Sequence, residues 1–273
     1  MIPSNIPVAI YLFLLHGLAF LAIWYCTPLA ILFCVGFYFI TGFGVTVGYH
    51  RLLTHHAFHT SLFLRRFFAF IGALAGQGGP LFWVSMHRLH HLASDQDTDP
   101  HDARRSFFWA HMGWFLYSKN PLNPDYDLVS DLTKDPFMRW LDRSDFWLQA
   151  VLAGVVSLLV IPFTDSYTAV SLLVWAFPLR IIIVLHSTWL TNSAAHLWGY
   201  RRFPTADNSF NNVWVALVTL GEGWHNNHHA FPGSARHGLV WYEFDPSWLL
   251  IKILHSFRLV TNVRVSSRSS RLS

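Results

Sequence analysis

The chain has 273 residues, of which 53% are hydrophobic and 12% charged, against about 25% charged in an ordinary soluble domain. So much apolar surface under so little charge excludes both a soluble globular domain and a disordered chain, and two cysteines, Cys26 and Cys34, exclude a disulfide scaffold. The formal net charge of +4 comes from scattered Lys and Arg, not from basic clusters interleaved with stacking aromatics, so it points away from nucleic acid.

In chain order, residues 8–25 form an uncharged run of about the length that crosses a bilayer. It lacks the basic start and small-residue cleavage site of a signal peptide, and a second uncharged run, 29–49, follows at once. That run ends in His50-Arg-Leu-Leu-Thr-His55. A spacing of five turns two side chains about 140° apart on an ideal α-helix, so this pair converges only if the helix ends or loosens there. Residues 62–84 are apolar but carry Arg65-Arg66 and Gly76-Gln77-Gly78-Gly79-Pro80. A crossing here would part the histidines on its two sides, so the segment reads as interfacial or re-entrant.

His87-Arg-Leu-His90-His91 comes next, then two further apolar runs, 146–163 and 169–190. Arg180, inside the last run, is costly unless it faces inward or the helix is longer and displaced. Asn192 and His196 follow at i and i+4, then His225-Asn-Asn-His228-His229. Residues 265–273 read as a disordered Ser/Arg-rich tail.

The turns within the two hairpins carry no Lys or Arg, and apart from Arg180 every basic residue lies after the second run, between the pairs, or after the fourth. The positive-inside rule then sets both termini and the histidines on the cytoplasmic side. The expectation is an all-α integral membrane protein: four transmembrane helices in two hairpins, with a cytosolic helical cap over 50–145 and 191–264. Residues 1–264 form one domain of a multi-pass membrane chain.

Histidine is the anomaly: 17, more than the 15 Asp and Glu combined. His16, His59, His186 and His255, taken singly, read as packing or interface residues. The three clusters do not. At i, i+3 and i+4 three imidazoles share one helical face. Converging rings without a ligand would lose hydration and repel one another on protonation, whereas imidazole binds transition metals. With His196 there are nine nitrogens, too many for one zinc-like ion and about right for two. Neither helical cluster has the H-E-x-x-H of a zinc protease. The ligand set alone leaves iron, zinc, copper and nickel open.

The order H-x4-H, H-x2-H-H, H-x2-H-H resembles the membrane fatty-acid desaturases, and most of all the Delta-9 acyl desaturase group that includes stearoyl-CoA desaturase, in its bacterial form. The resemblance runs from Gly48 to Leu250 and takes in Asp99-Pro100-His101, Arg104-Arg105, Gly113-Trp114, Thr188-Trp189 and Glu222-Gly-Trp-His225. It implies a four-span fold with a di-iron centre held by His50, His55, His87, His90, His91, His196, His225, His228 and His229. Asn192 would act through a water, and Gln77, Trp83, Thr188 and Trp189 would line a bent acyl tunnel. Phe37, Tyr38 and Phe39 are candidates for closing its far end. The implied activity is O2-dependent insertion of a cis double bond, at Delta-9, into a saturated acyl chain. A hydroxylase on the same scaffold is the runner-up.

Two departures bear on the carrier. Ser85-Met86 stands where animal acyl-CoA desaturases have Arg-Asp, and Ser118 replaces a head-group Arg, with only Lys119 beside it. A lipid, CoA or acyl-carrier-protein substrate therefore stays open. The chain has neither a His-Pro-Gly-Gly haem signature nor a C-x-x-C, which implies a separate electron donor of ferredoxin, rubredoxin or cytochrome b5 type. Arg104, Arg105, Arg201 and Arg202 are candidates for its docking.

Overall fold

The computed structural model describes residues 3–118 and 124–266. Lys119 and residues 267–273, most of the expected tail, lie outside the described residues.

Helix α1 (Ile6–Phe20) continues through a 3-10 turn to Ile23. Helix α2 (Pro28–Phe43) starts at Thr27, whose hydroxyl accepts the Ala30 amide, with Pro28 at the first turn where no N–H is needed. It runs on without a break as a π-helix, Gly44–Thr54. The antiparallel pair of β1 (His59–Thr60) with β2 (Val260–Thr261), far apart in the chain, is the only sheet among the described residues. Helices α3 (Leu62–Ala73) and α4 (Pro80–Ala93) follow, joined by a turn in which Gly76 and Gly78 take φ of +73° and +93°, values that suit glycine. A π-turn (Trp109–Gly113) leads into α5 (Trp114–Tyr117), then α6 (Ser130–Thr133) and α7 (Pro136–Val160). Helix α8 (Ser166–Val174) passes through a π-turn at Trp175–Leu179 into α9 (Arg180–Asn192). The π-turn contains Pro178, which cannot donate to an α-helical ladder. Short helices α10 (Val213–Val218) and α11 (His225–Ala230) and the longer α12 (Pro246–Ser256) complete the chain.

Three stretches are long and apolar enough to cross a membrane: Ile6–Ile23, Pro28–Thr54 and Ser166–His196. A fourth qualifies if Pro136–Asp145 and Trp147–Phe163, bent by 77°, count as one. Outward-facing Phe13, Leu158 and Phe163 are more than three-quarters exposed, as befits surface that only lipid would cover. The second and last stretches outrun the expected 29–49 and 169–190 at both ends, most of all at the end that carries histidines. Opposite, the two hairpin turns meet: Tyr167 donates to Trp24 O at 3.1 Å and accepts the Cys26 amide at 3.2 Å. Ser4 donates to Leu116 O at 3.1 Å, which ties the start of α1 to the α5 region.

Arg180 is fully buried; it donates to Leu74 O at 2.6 Å, Ala176 O at 3.1 Å and Gln149 Oε1 at 3.3 Å. Of the two remedies expected from the sequence, the inward-facing one occurs: Ser166–His196 is longer than the expected run but keeps Arg180 at its middle, and the guanidinium turns inward. Beneath the histidines lies a core of Val47, Leu53, Phe58, Phe68, Leu81, Val84, Met138 and Leu141.

Candidate metal centre

The π-helix settles the first cluster. Its i→i+5 bonding brings residues five apart to one side: the His55 amide bonds His50 O at 3.2 Å, and the two rings are 4.8 Å apart. Glycines let this wide helix lie against the α3 backbone. A Cβ on Gly44 would meet Gly72 N at 2.4 Å, and one on Gly48 would meet Phe68 O at 2.8 Å. Helix α4 is set against the same end. Asp142 Oδ1 caps it through the Leu81 and Phe82 amides, both at 2.9 Å, and Arg88 donates to Leu53 O at 2.7 Å. The turn after α3 therefore returns the chain to where it left, and His87 comes within 4.5 Å of His50, ring to ring.

The nine histidines gather into two groups, each with one ligand atom per residue and all such atoms within 4.8 Å. One holds His50, His55, His87, His91 and His228; the other holds His90, His196, His225 and His229. Each of the two H-x2-H-H boxes is split between the groups, so α4 and α11 run alongside both. Asparagines fix α11. Asn226 Oδ1 accepts the Arg202 and Phe203 amides at 2.7 and 2.8 Å, and Asn227 bonds Asn211, Glu243 and His237 O.

Carboxylates set the tautomers. His50 Nδ1 donates to Glu222 at 2.6 Å, His90 Nδ1 to Asp99 at 2.9 Å, His196 Nδ1 to Asp95 at 3.1 Å and His229 Nδ1 to Asp207 at 2.6 Å. A neutral ring with its hydrogen on Nδ1 presents a bare lone pair at Nε2. Two of those lone pairs face other ring nitrogens: His228 Nε2 lies 3.1 Å from His50 Nε2 and 2.9 Å from His91 Nε2, and His196 Nε2 lies 2.9 Å from His225 Nε2. The Nε2 atoms of His55, His90 and His229 are buried without a partner. Orphaned acceptors at such spacing cost free energy unless a cation takes their lone pairs, and a carboxylate behind the ring is the usual support of a metal-bound imidazole.

The electrostatics agree. Burial first, then neighbouring imidazoles, hold His87, His90, His91, His225 and His228 well below the usual histidine range. Burial would raise Asp207 and Glu222, but His229 outweighs it at the first, and Arg51 and His50 at the second; both stay well below the usual carboxylate range. These five imidazoles are thus neutral, and Asp207 and Glu222 are ionised. Arg51, with no exposed surface, bridges Glu222 and Asp245 at 3.0 Å each.

Sequence reading missed these carboxylates as partners, and it missed His237, whose ring is 4.5 Å from His228, and His101, 4.3 Å from His90. The resemblance spans Asp99, His101 and Glu222, but no spacing rule marks Asp95 or Asp207, which act across the fold.

A mostly apolar cleft leads to both groups. Its walls include Tyr38, Val45, Val184, Thr188, Asn192 and Leu220, and it ends at His50, His87 and His225. Three of the expected tunnel residues form one bonded set: Gln77 Nε2 donates to Thr188 Oγ1 at 2.7 Å, and Trp83 Nε1 donates to Gln77 Oε1 at 3.1 Å. Trp83 also stacks on His87 at 5.0 Å. Trp189 sits elsewhere, packed on His111, Phe115 and His186. Of the aromatics considered for the far end, Tyr38 lines the cleft and donates to Val218 O, while Phe39 is exposed. Among the docking candidates, Arg104 pairs with Asp102 and Asp97, Arg202 pairs with Glu243, Arg105 lies over Trp109, and Arg201 bonds Thr205.

Comparison with known proteins adds the following. The fatty acid desaturase family model matches residues 22–248. The chain is 43% identical over 233 residues to a protein named sn-1 stearoyl-lipid 9-desaturase from Anabaena variabilis, covering 85% of this chain and 82% of that protein. It is 42% identical over 254 residues to an sn-2 palmitoyl-lipid 9-desaturase from Nostoc sp. (strain 36), covering 91% and 86%. An acyl-CoA C20 Delta5-desaturase from Anemone leveillei is 39% identical over 237 residues, covering 86% and 73%.

Proposed function

The chain belongs to the fatty acid desaturase family, an acyl desaturase and oxidoreductase, and from that premise we propose that it places a cis double bond at Delta-9 of a saturated acyl chain esterified to a membrane lipid. The observation that carries the reading is the pair of convergent, carboxylate-backed histidine groups at the end of an apolar cleft. The nine histidines would hold two iron ions, five at one and four at the other, with Asn192 contributing through a water. The cleft takes the acyl chain, with Gln77, Trp83 and Thr188 shaping its wall.

Two features favour a lipid carrier. The two cyanobacterial relatives are named as lipid desaturases. In addition, Ser85 and Met86 are buried, and Ser85 is bonded to the Asp125 backbone, so these positions offer no charge to a nucleotide head group. The reading includes four spans with the histidines on the cytoplasmic side of a bacterial inner membrane. That orientation is supported by the hairpin turns meeting at the end remote from the histidines. A separate ferredoxin-, rubredoxin- or cytochrome b5-type protein supplies electrons.

The reaction balances as R–CH2–CH2–R′ + O2 + 2 e− + 2 H+ → R–CH=CH–R′ + 2 H2O. Two iron ions, when bound by these histidines, would supply the O2 activation needed to remove hydrogen from two adjacent methylenes. The protein's task is positioning, since the methylenes of a saturated chain are chemically near-identical. Burial of each CH2 in the cleft contributes about 0.8 kcal/mol, and the dry wall keeps water from the reacting carbons. Glu222, Asp95, Asp99 and Asp207 hold the imidazoles in the tautomer that binds metal.

Expression in a host without desaturases, followed by double-bond-locating mass spectrometry and head-group analysis, tests this reading. The expected result is a Delta-9 cis-monoene on glycerolipid that is lost in the His228→Ala/His229→Ala variant. A hydroxylated product would move the chain to the runner-up, and unsaturation confined to thioesters would overturn the carrier.

A further inference from the structure

Serine and threonine hydroxyls in the long helices share a habit. Thr41 donates to Phe37 O at 2.7 Å, and Ser157, Ser171 and Ser193 donate to Ala153 O, Tyr167 O and Trp189 O at 2.8 Å each. Each turns back on the carbonyl four residues earlier, which satisfies a hydroxyl among apolar neighbours. One face of α9 breaks the habit. Val184, Ser187, Thr188, Thr191 and Asn192 all line the cleft, at the i, i+3, i+4, i+7, i+8 spacing of a single helical face. The Ser187 hydroxyl accepts Tyr38 at 3.5 Å, and the Thr188 hydroxyl accepts Gln77 at 2.7 Å. Thr191 is 9% exposed, and its Oγ1 is buried without a hydrogen-bond partner. The Asn192 carboxamide beside it makes no hydrogen bond among the described residues.

A buried hydroxyl left unbonded costs free energy. The acyl chain cannot relieve that cost, because methylenes neither donate nor accept. Adjacent residues diverge by about 100° around a helix, so Thr191 and Asn192 do not bond each other. They border the same space, however, and a molecule the size of water spans two such side chains. A buried water settles where about three polar groups surround it, and a lone carboxamide in an apolar cleft does not meet that need. Thr191 supplies a further partner, and its hydroxyl serves the water in either orientation, since it both donates and accepts.

Resting on the desaturase reading, in which Asn192 acts through a water, we propose that Thr191 is the positioning residue for that water. Its hydroxyl and the Asn192 carboxamide together hold one molecule at the metal end of the cleft. His225 closes the same wall, so the water sits where the acyl chain meets the four-histidine group. A water fixed there sets how near the reacting carbons come to that group. Thr191 therefore acts on turnover, while binding of the chain is left to the apolar wall.

Thr191→Val and Thr191→Ser test this: valine keeps the shape of the side chain and removes the hydroxyl, while serine keeps the hydroxyl. Metal content should match the wild type in both. In Thr191→Val kcat should fall about tenfold, the equivalent of one hydrogen bond, with KM for the acyl substrate unchanged, and Thr191→Ser should regain most of the loss. Independently of activity, a high-resolution crystal structure of the metal-loaded wild type should show a water within hydrogen-bond reach of both Thr191 Oγ1 and the Asn192 carboxamide, and the Thr191→Val crystal should lack it. The melting temperature of Thr191→Val should not rise, because removing a hydroxyl that is already bonded gains nothing. A higher melting temperature, a wild-type site without the water, an unchanged kcat in Thr191→Val, or turnover lost only in step with metal would each overturn the proposal. A wild-type protein that forms no desaturated product strikes the desaturase reading instead, and the bound water still decides the role of Thr191.

Discussion

Two sets of histidines in one fold obey opposite rules. In the cap, carboxylates bond the Nδ1 atoms of His50, His90, His196 and His229, and the Nε2 lone pairs are driven together with nothing between them to donate. Among the spans, His16, His186 and His111 bond end to end, each nitrogen facing one neighbour. The side chain is the same; its partners decide whether it gathers lone pairs for a cation or strings hydrogens along a line. A count of histidines cannot tell these apart; four of the nine gathered rings have a carboxylate behind them, whereas none of His16, His186 and His111 does.

The contrast can be broken most sharply at Glu222. Glu222→Gln leaves Arg51 half-partnered and removes the acceptor behind His50. Loss of one member of a buried ion pair costs about 3–5 kcal/mol, and loss of such a support weakens metal binding by about 10–100-fold. The melting temperature and metal retention on dialysis should fall together, whereas His16→Phe, which breaks only the line, should leave both ions in place. Retention of metal by Glu222→Gln would mean that the carboxylate does not govern the cap.

A second, smaller effect separates the sets by pH. His87, His90, His91, His225 and His228 are held below their ordinary value, so between that depressed value and about 6.5 the unfolded chain binds more protons than the folded one. Stability of the metal-free protein should therefore be full above about pH 6.5 and decline as the pH falls below it, while bound metal should blunt the decline. A melting temperature unchanged from pH 8 to 5 would contradict neutral, buried cap histidines.

The smallest effect lies on the surface. Arg88, His56 and Asp131 resemble the cap pairs in geometry but are partly exposed. Asp131→Asn should cost about 1 kcal/mol or less, with no change in metal content measured after purification.

Much of this was legible in the sequence. Hydropathy places the apolar stretches to within a few residues, because apolar length is a local property. The three clusters name eight of the nine histidines by spacing, and His196 joins them through the family resemblance. Convergence of His50 with His55 required a loosened helix, and the π-helix supplies it. What spacing does not show is which group each histidine joins. His90 and His91 are neighbours in the chain, yet they face different groups because α4 lies between the π-helix on one side and the segment bearing His196 on the other. Asp95 and Asp207 are equally hidden: their bonds to His196 and His229 depend on loops folding back, not on any period. His16 and His186 read as ordinary residues because their partners lie 170 and 75 positions away.

The central claim is that the cap holds two ions, each in its own histidine group. Metal content per purified chain, measured by mass spectrometry for the wild type, His91→Ala and His225→Ala, tests it most directly. The account predicts two iron ions in the wild type and one in each variant, because each substitution opens a different group. A single ion in the wild type, or loss of all metal from both variants, would contradict it.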